Sequence, residues 1–450
     1  MPLPSPVPAV PLEVLRARRA EVQRRMRAAG GGVLVLPAMP VAMRNWDVEH
    51  PYRADSDLFW LTGFEEPETV AVLAAEGGQP LTLFVRPRDP EKEVWNGRRA
   101  GVEGAREKFG ADQAFPLDKL DAELPRLLGS GTGEKTLWYR LGGFDPGFDA
   151  RVCRTLATLR HRARSGADAP KRVEDPGQVL HELRLRKAPE ELAALRRAAE
   201  LTRRGHLAAM AAGRPGAYEY QLQALLEHEY RHGGGRGWGY FPIVAAGANA
   251  TVLHYIENSG PIADGALVLI DSGAEVDLYT ADVTRTFPAN GRFTELQKHA
   301  YQIVLEAADA VIAAARPGAT IDGLHELAVH RLTAGMLELG LLTGGLAEQL
   351  ADQHYRRYYM HRTSHWLGLD VHDAGRYRTV DGSSTALEPG MVLTVEPGLY
   401  VAPDDERAPA GLRGLGIRIE DDLLVTEGGC EVLTAAIPRT VAEVEAACAR

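Results

Sequence analysis

The segment Val268-Leu-Ile-Asp271-Ser-Gly-Ala-Glu-Val-Asp-Leu-Tyr-Thr-Ala-Asp282-Val-Thr-Arg-Thr-Phe287 runs an apolar strand into an acid, turns through Ser272-Gly273, and returns in a strand bearing a second acid eleven residues after the first. Folded as a hairpin, it sets the two carboxylates face to face. Two acids at the edge of a buried strand pair repel each other and carry a desolvation cost of several kcal/mol unless a cation compensates them. The pattern therefore points to a divalent metal, beside the plainer reading of a hairpin with solvated turn acids.

Outward from this segment, two more acids end apolar strands. In Met391-Val-Leu-Thr-Val-Glu396-Pro-Gly, the turn-forming pair follows Glu396 directly. In Gly416-Ile-Arg418-Ile-Glu420, alternation puts Ile417 and Ile419 on one face and Arg418 and Glu420 on the other. Histidines complete the set: His361, His365 and His372 fall within twelve residues of Met360-His-Arg-Thr-Ser-His-Trp-Leu-Gly-Leu-Asp-Val-His-Asp373, and His254 lies in the apolar run Val252–Tyr255, read as a strand. A carboxylate-rich set with one imidazole suits Mn²⁺, Mg²⁺ or Co²⁺ better than a thiolate-seeking metal, with Zn²⁺ still open. With Asp282 and Glu420 able to bridge, five ligands can hold two ions about 3.5 to 4 Å apart, and hydrolysis is the expected chemistry. His228-Glu-Tyr-Arg-His232 also matches the helical HExxH zinc pattern, but His232 directly precedes Gly233-Gly234-Gly235, where a histidine suits a helix C-terminus. We read it as a helix end.

The rest of the chain frames this set. Helical periodicity over Leu12–Ala29 feeds strands at Val33–Leu36, Thr69–Leu73, Leu81–Val85 and Thr136–Tyr139, a mixed α/β module. The polar, turn-rich stretch from Arg164 to Asp175 marks a boundary, giving domains over 1–175 and 176–450. Beyond it, helices from Pro189 and over Ala217–His232 precede strands at Ile243–Ala246, Ala266–Asp271 and Thr280–Phe287. Helices over Gln297–Ala315 and Ile321–Leu339 then precede strands at Met391–Glu396, Gly416–Glu420 and Leu423–Thr426. This recurrence predicts an α+β domain of two related halves, helices packed over antiparallel sheet. At 450 residues, 45% hydrophobic and 25% charged, the chain is expected to be soluble and folded in two to three domains. A net charge of −10 gives no attraction to nucleic acid or anionic lipid. Three scattered cysteines, no apolar run long enough to span a membrane, and a Pro-rich start without a basic region predict a cytoplasmic protein.

Together these motifs resemble the aminopeptidase P family, bacterial Xaa-Pro aminopeptidases of the creatinase and methionine aminopeptidase superfamily. The amino-terminal half shares the likeness, through Tyr52-Arg-Ala-Asp-Ser-Asp-Leu-Phe-Trp60-Leu-Thr-Gly-Phe64 and Glu93-Val-Trp95-Asn-Gly-Arg-Arg99. The resemblance implies a pita-bread catalytic domain behind a smaller accessory domain, and a dinuclear site activated by Mn²⁺. By carry-over, Asp271 and Asp282 with Glu420 hold one ion, and Asp282, His365, Glu396 and Glu420 the other. A bridging hydroxide attacks the carbonyl of the first residue of a peptide whose second residue is proline. Glu396 is then the proton shuttle; His254, His361 and His372 steady the carbonyl, the oxyanion or the proline side; Arg418 and Tyr400 support the ligands. The family also implies a homodimer or homotetramer in which Trp95 helps close a neighbouring active site.

Two departures stand out: Arg362, where relatives often have glycine, and the acidic loop Asp404–Pro409. The nearest rival is a prolidase with the same metals; the extended motif through His372 and Trp95 favours the aminopeptidase. A metal-free binding module on the same fold is disfavoured because all five ligand positions keep ligating side chains.

Overall fold

The computed structural model describes residues 9–78, 80–129, 135–143 and 145–449. The chain divides into two compact units, one ending at Glu182 and the other beginning at Leu183. In the first, a six-stranded sheet has the order Gln113–Pro116, Leu81–Val85, Val70–Ala74, Val33–Pro37, Thr136–Trp138, Arg172–Glu174. Its centre is antiparallel and its edges parallel. Val33–Pro37, Val70–Val72 and Leu81–Val85 are buried, as their continuous apolar sequence requires. The helices Leu120–Gly129 and Pro146–His161 supply Leu124, Leu128, Val152, Leu156 and Leu159 to one shared core with strand residues such as Val35, Val72 and Phe84.

In the second unit, Pro189–Ala212 opens with proline in its first turn and two acids behind it, and the Ala188 N–H donates to Glu191 at 2.8 Å. It packs on Glu219–His232, where a Cβ at Gly205 would come 2.7 Å from the Tyr230 ring, so glycine permits the close crossing. A second pair, Glu295–Ala314 and Ile321–Glu338, packs likewise, the first capped reciprocally by Thr294 and Gln297 at 3.0 and 3.2 Å. The antiparallel strands Ile243–Ala246, Leu267–Asp271 and Thr284–Pro288 form one sheet, and Val392–Val395, Asp421–Thr426 and Gly429–Val432 another. Helices, strands, helices and strands thus follow one another in an α+β unit.

Two expected strands take other forms. Val252–Tyr255 is a turn after the 3₁₀ helix Gly247–Thr251, since Gly247, with φ of 58°, breaks the extended run. Thr280–Phe287 is broken into Tyr279–Thr280 and Thr284–Pro288. The interruption contains Asp282, whose backbone N–H leaves the ladder to donate to Asp422 at 3.1 Å.

Candidate active site

The register Asp271↔Thr284 places Asp271 at the end of one strand and Asp282 just before its partner begins. Ser272 closes the excursion, its N–H donating to the Val283 carbonyl at 3.0 Å, while the Tyr230 hydroxyl donates to Ser272 Oγ at 3.0 Å. A Cβ at Gly273 would lie 1.7 Å from the Ala281 carbonyl oxygen, so the two arms of the excursion touch through glycine. The histidine segment is tied to the Val392–Val395 strand, Thr394 N–H donating to His365 at 3.0 Å and Glu396 N–H to Thr363 at 2.9 Å. Glu420 N–H donates to the Thr284 carbonyl at 3.0 Å, joining the last acid to the first hairpin. Residues far apart in sequence meet because backbone hydrogen bonds clamp their strand ends together.

The side chains converge on one cavity of about 710 Å³ whose lining includes Asp271, Asp282, His365, Glu396, Glu420 and Arg418. Asp282, His365 and Glu420 each offer a ligand atom, all within 4.8 Å of one another. The Tyr240 hydroxyl lies 2.6 Å from Asp271 and 2.5 Å from Asp282, and its single hydrogen can satisfy only one of the two carboxylate oxygens at a time. His365 Nδ1 lies 3.0 Å from the Trp366 carbonyl, which fixes the hydrogen there and turns Nε2 toward Asp282 at 3.3 Å and Glu396 at 3.6 Å. A lone pair facing two carboxylates calls for a positive charge among them. Without one, burial and the neighbouring carboxylates push Glu396 up to about 7 and Glu420 well above the ordinary carboxylate value, and burial raises Asp271. Burial lowers the His365 value, but the hydrogen bond and charge of Asp282 lift it to about 9. Buried oxygen donors with one imidazole, short of positive charge, fit a divalent cation.

Arg418 braces this set. Nη2 donates to Asp271 at 2.5 Å, Nε to Thr284 Oγ1 at 2.9 Å and Nη1 to the Tyr400 hydroxyl at 2.9 Å. Thr284 Oγ1 in turn donates to Glu420 at 2.6 Å. The Tyr400 hydroxyl, accepting from Arg418, donates to His361 Nε2 at 2.9 Å, which puts the ring's one N–H on Nδ1, 2.8 Å from the Arg362 carbonyl and 3.5 Å from Glu396. Burial and the charge of Arg418 bring His361 down to about 3, so it is neutral at pH 7. His372 packs edge-on to His365 at 4.4 Å between ring centroids, and His254 and His372 both line the cavity from exposed positions. Trp95 stands in the first unit, 86% exposed on the helix Pro90–Asn96. His228 and His232 stack at 5.3 Å on an exposed helix face and join no metal-capable cluster among the described residues.

Sequence reasoning missed Tyr240 and Asp422. Tyr240 sits in an aromatic stretch, Trp238-Gly-Tyr-Phe241, that gives no sign of which ring turns inward. Asp422 was hidden by the acidic pair it forms with Asp421; it is buried, and burial with the charge of Asp282 holds its carboxyl well above the usual range.

Comparison with known proteins agrees with this geometry. Residues 193–427 match the model of metallopeptidase family M24, and residues 15–138 that of the aminopeptidase P N-terminal domain. The Xaa-Pro aminopeptidase of Escherichia coli is 43% identical over 435 residues, covering 95% of this chain and 97% of that protein. That of Haemophilus influenzae is 37% identical over 437 residues, 97% of each. The solved aminopeptidase PepP of Pseudomonas aeruginosa superposes with a TM-score of 0.94 at 47% identity, covering 98% of both chains. A zinc-substituted E. coli aminopeptidase P in complex with product gives 0.92 at 42% identity, again over 98% of both. No helix among the described residues is long and apolar enough to cross a membrane. With a pita-bread unit behind an aminopeptidase P N-terminal domain, the chain belongs to metallopeptidase family M24.

Proposed function

We propose that this chain removes the amino-terminal residue from peptides with proline in second position, using two divalent ions, Mn²⁺ in the cell. The observation that carries the reading is the meeting, in one cavity, of Asp271, Asp282, His365, Glu396 and Glu420 with three further histidines. Asp271, Asp282 and Glu420 would hold one ion, and Asp282, His365, Glu396 and Glu420 the other. Ions bound there polarise the scissile carbonyl and activate water for its attack.

The chain's own residues orient and move protons. Glu396, at the cavity floor beside the attacking water, would take a proton from it and pass it to the proline nitrogen as the peptide bond breaks. Tyr400, receiving from Arg418, fixes the tautomer of His361 at the cavity wall. His254, His361 and His372 steady the substrate carbonyl, its oxyanion or the proline ring. The accessory role falls to residues 1–175 and the chemistry to 176–450. A homodimer or homotetramer in the cytoplasm accounts for the bare Trp95 indole, which helps close a neighbour's site.

The test is hydrolysis of Arg-Pro-Pro and of the dipeptide Ala-Pro, after chelation and again with Mn²⁺ restored. Tripeptide cleavage that returns with metal and is absent in Asp282→Ala supports the reading. Cleavage of the dipeptide alone moves the chain to the prolidases, and inactivity on both with two metals bound per chain rejects the peptidase assignment.

A further inference from the structure

The same cavity carries a charged group that this chemistry leaves unused. Asp322, in the first turn of the helix Ile321–Glu338, binds two arginines, one through each carboxylate oxygen. Oδ1 accepts from Arg362 Nη2, and Oδ2 accepts from Arg378 Nη2 at 2.9 Å. All three residues line the cavity, and two guanidiniums on one carboxylate leave the group net positive. Although burial works the other way, the hydrogen bond and charge of Arg362 hold the Asp322 carboxyl below its ordinary value, so the cluster stays charged at neutral pH.

Exposure separates this cluster from the metal-ligand set. The Arg362 and Arg378 side chains are 56% and 61% exposed, whereas Asp282 and Glu396 are 7% and 17%. The cavity thus has a buried acidic floor and a solvent-facing cationic rim. Arg378 Nη1 is engaged by the Gly382 carbonyl at 3.0 Å; Arg362 Nε and Nη1 have no other partner among the described residues. An aminopeptidase seats the first residue at the floor and the proline beside it, so the third residue is the one that leaves past the rim. Asp322 holds both guanidiniums in place before substrate arrives, which reduces the ordering cost of binding.

Resting on the aminopeptidase reading above, we propose that Arg362, seconded by Arg378, selects substrates by binding a carboxylate carried by the third residue, favouring Xaa-Pro-acidic peptides.

The experiment compares kcat/KM for Ala-Pro-Asp and Ala-Pro-Lys, both amidated, in the metal-loaded enzyme and in Arg362→Gln, which keeps the backbone carbonyl that accepts from His361. Ala-Pro-Ala with a free and with an amidated terminus distinguishes a side-chain carboxylate from a terminal one. The expected result is a preference of about five-fold for the aspartyl peptide, scaled to partly exposed charges. It shrinks in high salt, collapses in Arg362→Gln and inverts in Arg362→Glu. A gain on freeing the terminus of the alanyl peptide, lost in Arg362→Gln, supports the same site reading a terminal carboxylate. Equal rates for all four peptides, or a preference that survives Arg362→Gln, overturns the proposal and leaves the aminopeptidase intact. Failure to cleave any of them overturns both.

Discussion

Tyr240 shows what a single hydroxyl does among buried acids. It touches Asp271 and Asp282 together, at 2.6 and 2.5 Å, and its one hydrogen can satisfy only one of them. Tyr240→Phe is expected to lower metal affinity by about ten- to a hundredfold, the usual cost of losing a group that orients a ligand. Calorimetric titration of Mn²⁺ into the chelated protein measures this, and unchanged affinity would show that the hydroxyl only fills space. Three of the four acidic ligand candidates were legible because each follows an apolar run: Asp271 after Ile270, Glu396 after Val395, Glu420 after Ile419. Tyr240 was not, because an aromatic residue between glycine and phenylalanine reads the same whether it faces metal, core or solvent.

At the scale of elements, the loop bearing His254 hangs from one buried carboxylate. Glu219, fully buried in the first turn of Glu219–His232, accepts from Ala246 N–H at 2.7 Å, Asn249 at 2.9 Å, the Tyr255 hydroxyl at 2.8 Å and Gly260 N–H at 2.6 Å. Glu219→Gln turns an amide toward those donors, so it should lower kcat/KM as His254→Ala does, and the double variant should lose little more. Full additivity would show the two to be independent. The same loop explains the misread strand: Val252, Leu253 and Tyr255 look extended by composition, yet Gly247 and the Glu219 contacts wind the chain into a turn. A second prop, Asp373, accepts from Lys187 at 2.8 Å and Arg184 at 2.5 Å in a buried cluster. Asp373→Asn should cost about 3 kcal/mol, because it takes the carboxylate from the buried Lys187 ammonium, while Arg184 keeps Asp370 at 3.0 Å. Denaturant unfolding gives the value; a loss under about 1 kcal/mol would mean water reaches the site.

For the whole molecule, the acidic floor sets how stability answers to pH. Without metal, the folded chain holds protons on Glu396 up to about 7, whereas an unfolded glutamate releases them near its ordinary 4.5. That contribution is complete below 4.5 and is lost as pH rises toward 7. His365, raised to about 9 from 6.5, contributes below 6.5 and loses its contribution as pH rises through 9. Both terms make the metal-free protein weaker on the alkaline side, by an amount on the order of a few kcal/mol. Bound cations replace those protons, so the rise in Tm on adding Mn²⁺ should widen between pH 5.5 and 8.5 in thermal melts. A gap that narrows would mean the carboxylates are ionised without metal. At this scale the order of helices and strands could be read from periodicity, since amphipathic helices and apolar strands are local signals. The clamping of four distant strand ends could not, because it depends on backbone hydrogen bonds such as Glu420 to Thr284 that leave no mark on composition. The contact of Gly273 with Ala281 has a bearing on how such a chain can evolve. With the two arms touching, one residue added or removed between Asp271 and Gly273, or between Ala281 and Asp282, would rotate an acid out of the floor, so length variation is confined to the hairpin turn at 277–278. The exposed turn over 379–383, where a Cβ at Gly382 meets nothing within 4 Å, tolerates insertions, and new peptide preferences can arise there while the acids keep their spacing.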